Sequence, residues 1–215
     1  MDDRLNALER QIQVLIDKDQ IRDVLYRYAR AVDRKDVELL KSCYHPDSTD
    51  AHWTFIGNGL EFAEEILQPH QMGNVPLFKH LITNILIEIE GDRAFCESSY
   101  MFTQTLAVTA TRRARYSNEG RYLDVFERRH GEWRILRRLL VPESESWSFS
   151  VPMPPPADMP RPTREQRAGA FPGDPVYRKF GITEILPSEF RSHTDRWSAA
   201  LNHLRTMVER ADDDR

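Results

Sequence analysis

The chain has 215 residues, 40% of them hydrophobic and 30% charged, with a formal net charge of −4. That is enough apolar material for one large domain, or a domain with an extension, and the acidic balance argues against a nucleic-acid partner. No run approaches the roughly 20 apolar residues of a membrane span, residues 1–20 lack a signal-peptide core, and Cys43 and Cys96 form no CxxC. The expectation is a cytoplasmic protein with two reduced thiols, bound to neither membrane nor nucleic acid.

Leu5, Leu8, Ile12, Leu15 and Ile16 mark a helix over about residues 3–17. A second helix runs from Asp17 or Asp19 to near Asp33, because Ile21, Val24, Leu25, Tyr28 and Val32 recur at spacings of three and four. The chain then breaks at Asp33-Arg34-Lys35, and Asp36 caps a short third helix carrying Val37, Leu39 and Leu40. Asp33 falls at the end of the apolar face. A carboxylate beside the negative pole of a helix is a poor choice for stability alone, so Asp33 is a candidate for chemistry. The alternative is a solvent-exposed partner of Arg34 or Lys35. Pro46 to Asp50 reads as a loop and Ala51 to Ile56 as a strand, after which Gly57-Asn58-Gly59 turns into a helix over Leu60–Leu67 that Pro69 ends.

From Phe78 the period changes to two. Phe78–Glu90, Arg93–Val108, Gly120–Arg129 and Glu132–Val141 read as long strands, with Gly91-Asp92 and His130-Gly131 as hairpin turns. Helices followed by an antiparallel meander define an α+β domain. Strands of this length coil, so the sheet is expected to curl around the N-terminal helices into a cone with an apolar cavity. After Val141 the composition shifts: eight of the 13 prolines lie between Pro152 and Pro175, which predicts an extended arm over 142–187. A final helix over 188–215 carries Phe190, Thr194, Trp197, Leu201, Leu204 and Val208 in a heptad-like stripe that needs a partner surface.

No Walker loop, GxGxxG, GxSxG or HExxH is present, so nucleotide-dependent chemistry is not called for. His45, Asp47, Asp50 and His52 are conceivable metal ligands, but they lie in the expected loop without a recognised spacing. The expectation is no metal and no cofactor. His80 opens the first long strand, and alternation puts His80, Ile82 and Asn84 on one face. A lone inward histidine is ordinarily a core residue. Within reach of Asp33 it becomes a general base, since a carboxylate fixes one tautomer and stabilises the imidazolium after proton transfer. Asp124 and Arg137 lie on strand faces that the pattern does not assign, and a buried pair between them would be structural.

Tyr28 and Asp33 in YARAVD, Tyr44-His45-Pro46-Asp47, the run HLITN at 80–84 and GRYLDVFERRHGEWRI together resemble the SnoaL-like branch of the NTF2-like superfamily over about residues 5–141. The resemblance implies an α+β cone. It also implies a cofactor-free lyase like the scytalone and bile-acid dehydratases, hexachlorocyclohexane dehydrochlorinase and the lignin-dimer formaldehyde lyases, with their Asp–His dyad carried by Asp33 and His80. Tyr28, five residues before the aspartate, matches the bile-acid dehydratase pattern and would assist a leaving oxygen, as would Tyr44. Tyr44, Trp53, Phe55, Tyr100, Phe102 and Tyr122 are the candidates for the substrate-binding wall. The substrate is then a hydrophobic, aromatic or polycyclic small molecule losing water, HX or formaldehyde, and the chain a dimer or trimer of itself. Rival readings are a non-catalytic β subunit of an aromatic-ring dioxygenase, an isomerase or cyclase of the same fold, and a ligand-binding module.

Overall fold

The computed structural model describes residues 2–52, 55–68, 78–107, 113–150, 169–174, 176 and 177. In order these form α1 (Asp2–Arg34), α2 (Val37–Lys41), β1 (Tyr44–His52), β2 (Phe55–Asn58), α3 (Gly59–Glu65), β3 (Phe78–Glu90), β4 (Arg93–Ala107), β5 (Arg113–Arg129) and β6 (Glu132–Ser150). The expected break near Asp17 is absent, and α1 is one helix. Neither glycine nor proline interrupts it. Asp17 caps nothing: its Oδ1 accepts from Trp133 Nε1 at 2.9 Å and from Arg128 Nη1 at 2.8 Å, tying α1 to the sheet. Ile21, Val24, Leu25, Tyr28 and Val32 of its second half are buried, whereas Leu5, Leu8, Ile12 and Leu15 of the first half are exposed.

The end of α1 is closed by two backbone bonds, Lys35 N–H to Val32 O at 3.1 Å and Asp36 N–H to Ala31 O at 2.9 Å, with Lys35 at φ 56°. This is a Schellman ending. It reverses the chain within two residues and lets Asp36 cap α2 through Leu39 N–H at 3.1 Å. Asp33, in the last turn, is thereby held beside the sheet.

The six strands lie in the order β2-β1-β6-β5-β4-β3. All neighbours are antiparallel except β1 and β6, which run parallel, so the curved sheet is mixed. The β5–β6 turn has φ 53° at His130 and 82° at Gly131, the two left-handed residues that a tight hairpin of native twist requires. The core fills the concave side, where α1, α2 and α3 meet Cys96, Tyr100, Tyr122, Phe126, Trp133 and Ile135. Among the described residues no helix is long and apolar enough to cross a membrane.

Bulges account for most departures from the sequence reading. Residues 46–50, read as a loop, belong to β1; the register shift between Tyr44 and Thr49 gives Pro46 a place outside the regular ladder. In β3 the register shifts between Thr83 and Leu86, with Asn84 at φ 48°. Asn84 is therefore exposed, and the inward phase passes to Ile85, Ile87 and Ile89. In β6 Val125 pairs with Arg137 while Phe126 pairs with Ile135, leaving Leu136 as the extra residue. The phase flips there, so Arg138 rather than Arg137 is the buried partner of Asp124.

Residues 142–150 continue β6. Of the expected arm beyond them, the described residues pack on this chain's own α1: Phe171 N–H donates to Arg34 O at 2.6 Å, Arg34 Nε meets Asp174 at 2.9 Å, and Arg30 lies over the Tyr177 ring at 5.0 Å. The remainder of the arm and the helix expected over 188–215 lie outside the described residues.

Candidate active site

β3 is an edge strand, so one row of its backbone donors has no strand to pair with. The end of α1 meets that edge. The His80 N–H donates to Asp33 Oδ1 at 3.0 Å and Oδ2 at 3.1 Å, and the His80 side chain brings Nδ1 to 2.6 Å from Asp33 Oδ1. Both side chains are buried, 7% and 8% exposed respectively. The backbone donor and the imidazole together offset the unfavourable position of the carboxylate at the helix C-terminus. With Nδ1–H donated to Asp33, His80 Nε2 is the unshared nitrogen.

His80 borders a cavity of about 180 Å³ on the concave side of the sheet. Its walls are mainly apolar: Val32, Phe55, Phe62, Ile66, Phe102 and Leu140, with Tyr28, Tyr100, Tyr116, Tyr122, Asn118 and His52 supplying polar atoms. The Phe102 ring lies 4.8 Å from that of His80. Of the residues expected to form the wall, Phe55, Tyr100, Phe102 and Tyr122 line the cavity, and so does Tyr28. Tyr44 does not. It is fully buried behind the wall, its O–H donating to Asp50 Oδ2 at 2.5 Å. Trp53 lies outside the described residues. A larger groove, about 710 Å³, runs between α1 and the β5–β6 turn, but charged side chains such as Asp19, Arg22, Asp23 and Arg27 line it, without a convergent apolar wall.

The phenols stay protonated. Burial pushes Tyr100 up to about 12, with its O–H donating to Asn118 Oδ1 at 2.5 Å, and raises Tyr28, Tyr44 and Tyr122 well beyond the usual phenol range. Each is a hydrogen-bond donor rather than an anion. Below the floor of the cavity Arg138 forms two 2.7 Å bonds with Asp124, both side chains wholly buried, and its guanidinium lies 4.1 Å from the Tyr28 ring and 4.2 Å from the Tyr122 ring. That bidentate pair fixes the two tyrosines from beneath.

The four residues considered as metal ligands do not converge on one point; of them, Asp50 and His52 meet each other while His45 and Asp47 turn elsewhere. His45 Nε2 is 2.8 Å from Glu127 O, Asp47 pairs with Arg129, and Asp50 bonds Tyr44 and His52. Among the described residues no group of three or more histidine, cysteine or acidic side chains is placed to hold a metal ion. Sequence reading missed His52, Tyr116, Asn118 and Arg138 as parts of this site. The signal for His52 lay in the alternation Ser48, Asp50, His52 of a strand disguised by Pro46.

A family model described as a SnoaL-like domain matches residues 13–139, and the chain belongs to that family. No curated protein matches the sequence. Among solved structures the chain is similar to a proposed scytalone dehydratase from Novosphingobium aromaticivorans, at 18% identity and TM-score 0.56, over 63% of this chain and 90% of that one. It is likewise similar to hexachlorocyclohexane dehydrochlorinase LinA-type3 from Novosphingobium barchaimii, at 17% identity and TM-score 0.58, over 64% and 94%. A third is the β subunit of a proposed aromatic-ring-hydroxylating dioxygenase from N. aromaticivorans, at 19% identity and TM-score 0.51, over 61% and 92%. At such identities the likeness establishes the fold: an α+β cone of the NTF2-like kind.

Proposed function

We propose that the protein is a cofactor-independent lyase that removes a proton from a hydrophobic, aromatic small molecule and expels a small group from it. His80 Nε2 takes the proton, Asp33 holds the ring and stabilises the imidazolium, and the C–H electron pair becomes a new π bond as the leaving group departs. Tyr28 offers its O–H to the departing atom. The observation that carries this reading is the buried 2.6 Å contact between Asp33 and His80 beside an apolar cavity. The neighbours described as a dehydrochlorinase and a proposed dehydratase agree with it in reaction class.

The cavity also limits the substrate. An enclosed space of about 150 Å³ is filled by benzene, so the 180 Å³ here accepts one aromatic ring, with any further groups toward the mouth. A positioned base contributes about 10²–10⁴-fold, and orientation within the cavity supplies the rest. The test uses the O-acetyl ester of the benzaldehyde–acetone aldol adduct, which loses acetate to form benzylideneacetone once its α-proton is removed. The wild-type protein is expected to accelerate this elimination with a primary deuterium isotope effect at that carbon. His80→Ala and Asp33→Asn are each expected to lose about 100-fold or more of the acceleration. Folded variants that keep wild-type rates contradict the assignment.

A further inference from the structure

The cavity holds a second carboxylate–imidazole pair, on the opposite side from His80. β1 and β3 are separated in the sheet by β6, β5 and β4, so four strand spacings would put them roughly 19 Å apart if the sheet were flat. Its curl brings His52 of β1 and His80 of β3 to the same cavity. His52 Nδ1 is hydrogen-bonded to Asp50 Oδ1, and Asp50, wholly buried, takes the Tyr44 O–H on its other oxygen. The ring of His52 stacks on Phe62 at 4.5 Å, which fixes its plane. Its Nε2 then faces the Tyr28 hydroxyl at 3.4 Å, a separation of the kind that tightens when substrate closes the site.

Charge counting gives this pair a different part from the first. The groups around His52 are Asp50 and Tyr44 on β1, Tyr28 on α1, Phe62 on α3, Tyr122 and Asp124 on β5, and Arg138 on β6. Two carboxylates and one guanidinium are wholly buried there, and Arg138 spends both of its bonds to carboxylate on Asp124. The cluster therefore carries one negative charge in excess, and the His52 ring is the neighbouring group able to carry a compensating proton. Asp33 differs, since a backbone N–H already satisfies it without adding charge. Tyr28 alone is a poor acid, because burial strongly disfavours its phenolate. A phenol that takes a proton as it gives one never becomes an anion.

We infer that His52, held by Asp50, loads Tyr28 with the proton that is delivered to a departing oxygen, so that the group this site expels is a hydroxyl leaving as water. The inference rests on His80 being the base. In the step, the α C–H bond breaks and its proton goes to His80 Nε2, while its electron pair forms the C=C bond. The C–O bond breaks with its pair on oxygen, that oxygen takes the Tyr28 proton, and the Tyr28 oxygen takes the proton of His52 Nε2. Water and the alkene leave, and solvent returns a proton from His80 to His52. A halide or a carboxylate leaving group has no use for this second pair.

The test compares two probes with one carbon skeleton: the benzaldehyde–acetone aldol adduct, which must lose hydroxide, and its O-acetyl ester, which loses acetate unaided. In the full-length chain, His52→Gln keeps the ring site polar and its fold is checked by circular dichroism. The expected result is that His52→Gln slows the hydroxy ketone about 100-fold more than the acetate. The wild-type rate on the hydroxy ketone should fall as pH rises, since the acid must be protonated, and His52→Gln should abolish that limb. Equal losses on both probes, or an unchanged pH limb, overturn the inference. Loss of both reactions in His80→Ala keeps the base assignment standing either way, and retention of both there sinks the base rather than the relay. Should neither ketone be turned over, ring-¹⁵N NMR of the wild-type chain decides: the His52 Nε2 signal is expected to move in Tyr28→Phe, because the two groups face each other. A ring indifferent to Tyr28→Phe refutes the relay.

Discussion

Replacing Asp124 by Asn keeps the shape of the side chain and removes its charge from a site that no water reaches. Arg138 then retains a wholly buried guanidinium whose two 2.7 Å bonds to a carboxylate have become weaker contacts with a neutral amide. Its Nη1 has no hydrogen-bond partner among the described residues, so none of these takes up the lost bonds. Breaking a buried pair from one side typically costs about 3–5 kcal/mol. For a chain of this size each kcal/mol is about 2–4 °C in Tm, so differential scanning calorimetry of Asp124→Asn should show a fall of about 6–20 °C. The double variant Asp124→Asn/Arg138→Met removes the stranded charge and should recover part of that loss, because an apolar replacement for a buried pair is often neutral or better. The reasoning is refuted if Asp124→Asn melts within about 3 °C of wild type, or if the double variant is as unstable as the sum of the singles.

Two further outcomes follow from the packing. A Cβ at Gly120 would press on Val141 O closer than van der Waals contact and meet Tyr100 Cε1 at 3.1 Å, so Gly120→Ala should destabilise by about 1–3 kcal/mol in urea unfolding. Cys43 and Cys96 are wholly buried, and burial pushes their thiols up to about 11 and about 12. Raised values mean that thiolate forms only as pH approaches them. At about pH 8 the native protein should therefore leave Ellman's reagent unreduced, and both thiols should react once guanidinium unfolds the chain.

The parts of the site that regular periods describe were legible, and the parts that bulges create were not. Asp33 could be found because a helical stripe ends on it, and His80 because it precedes any irregularity in β3. Four residues later in the same strand, Asn84 turns outward, since the left-handed residue resets the two-residue period. The extra residue Leu136 does the same in β6, which is why the pattern pointed to Arg137 where the structure buries Arg138 against Asp124. Pro46 concealed β1, because a proline in a polar run reads as a loop unless a bulge is known to receive it. The joining of Asp50 and His52 to Tyr28 depends on the curl of the whole sheet, a property that no local window carries. The cone itself was legible for the opposite reason: long strands, tight turns and preceding helices all point to it together.

The central claim is that His80, steadied by Asp33, acts as a base toward a molecule held in an apolar cavity. Ring opening of nitrobenzisoxazole tests it most directly, because that reaction needs a base and an apolar surround and nothing further from the protein. The wild-type chain should exceed free imidazole at equal concentration, and His80→Ala and Asp33→Asn should each lose about 100-fold or more of that advantage while melting cooperatively. Wild-type rates in either folded variant would contradict the claim.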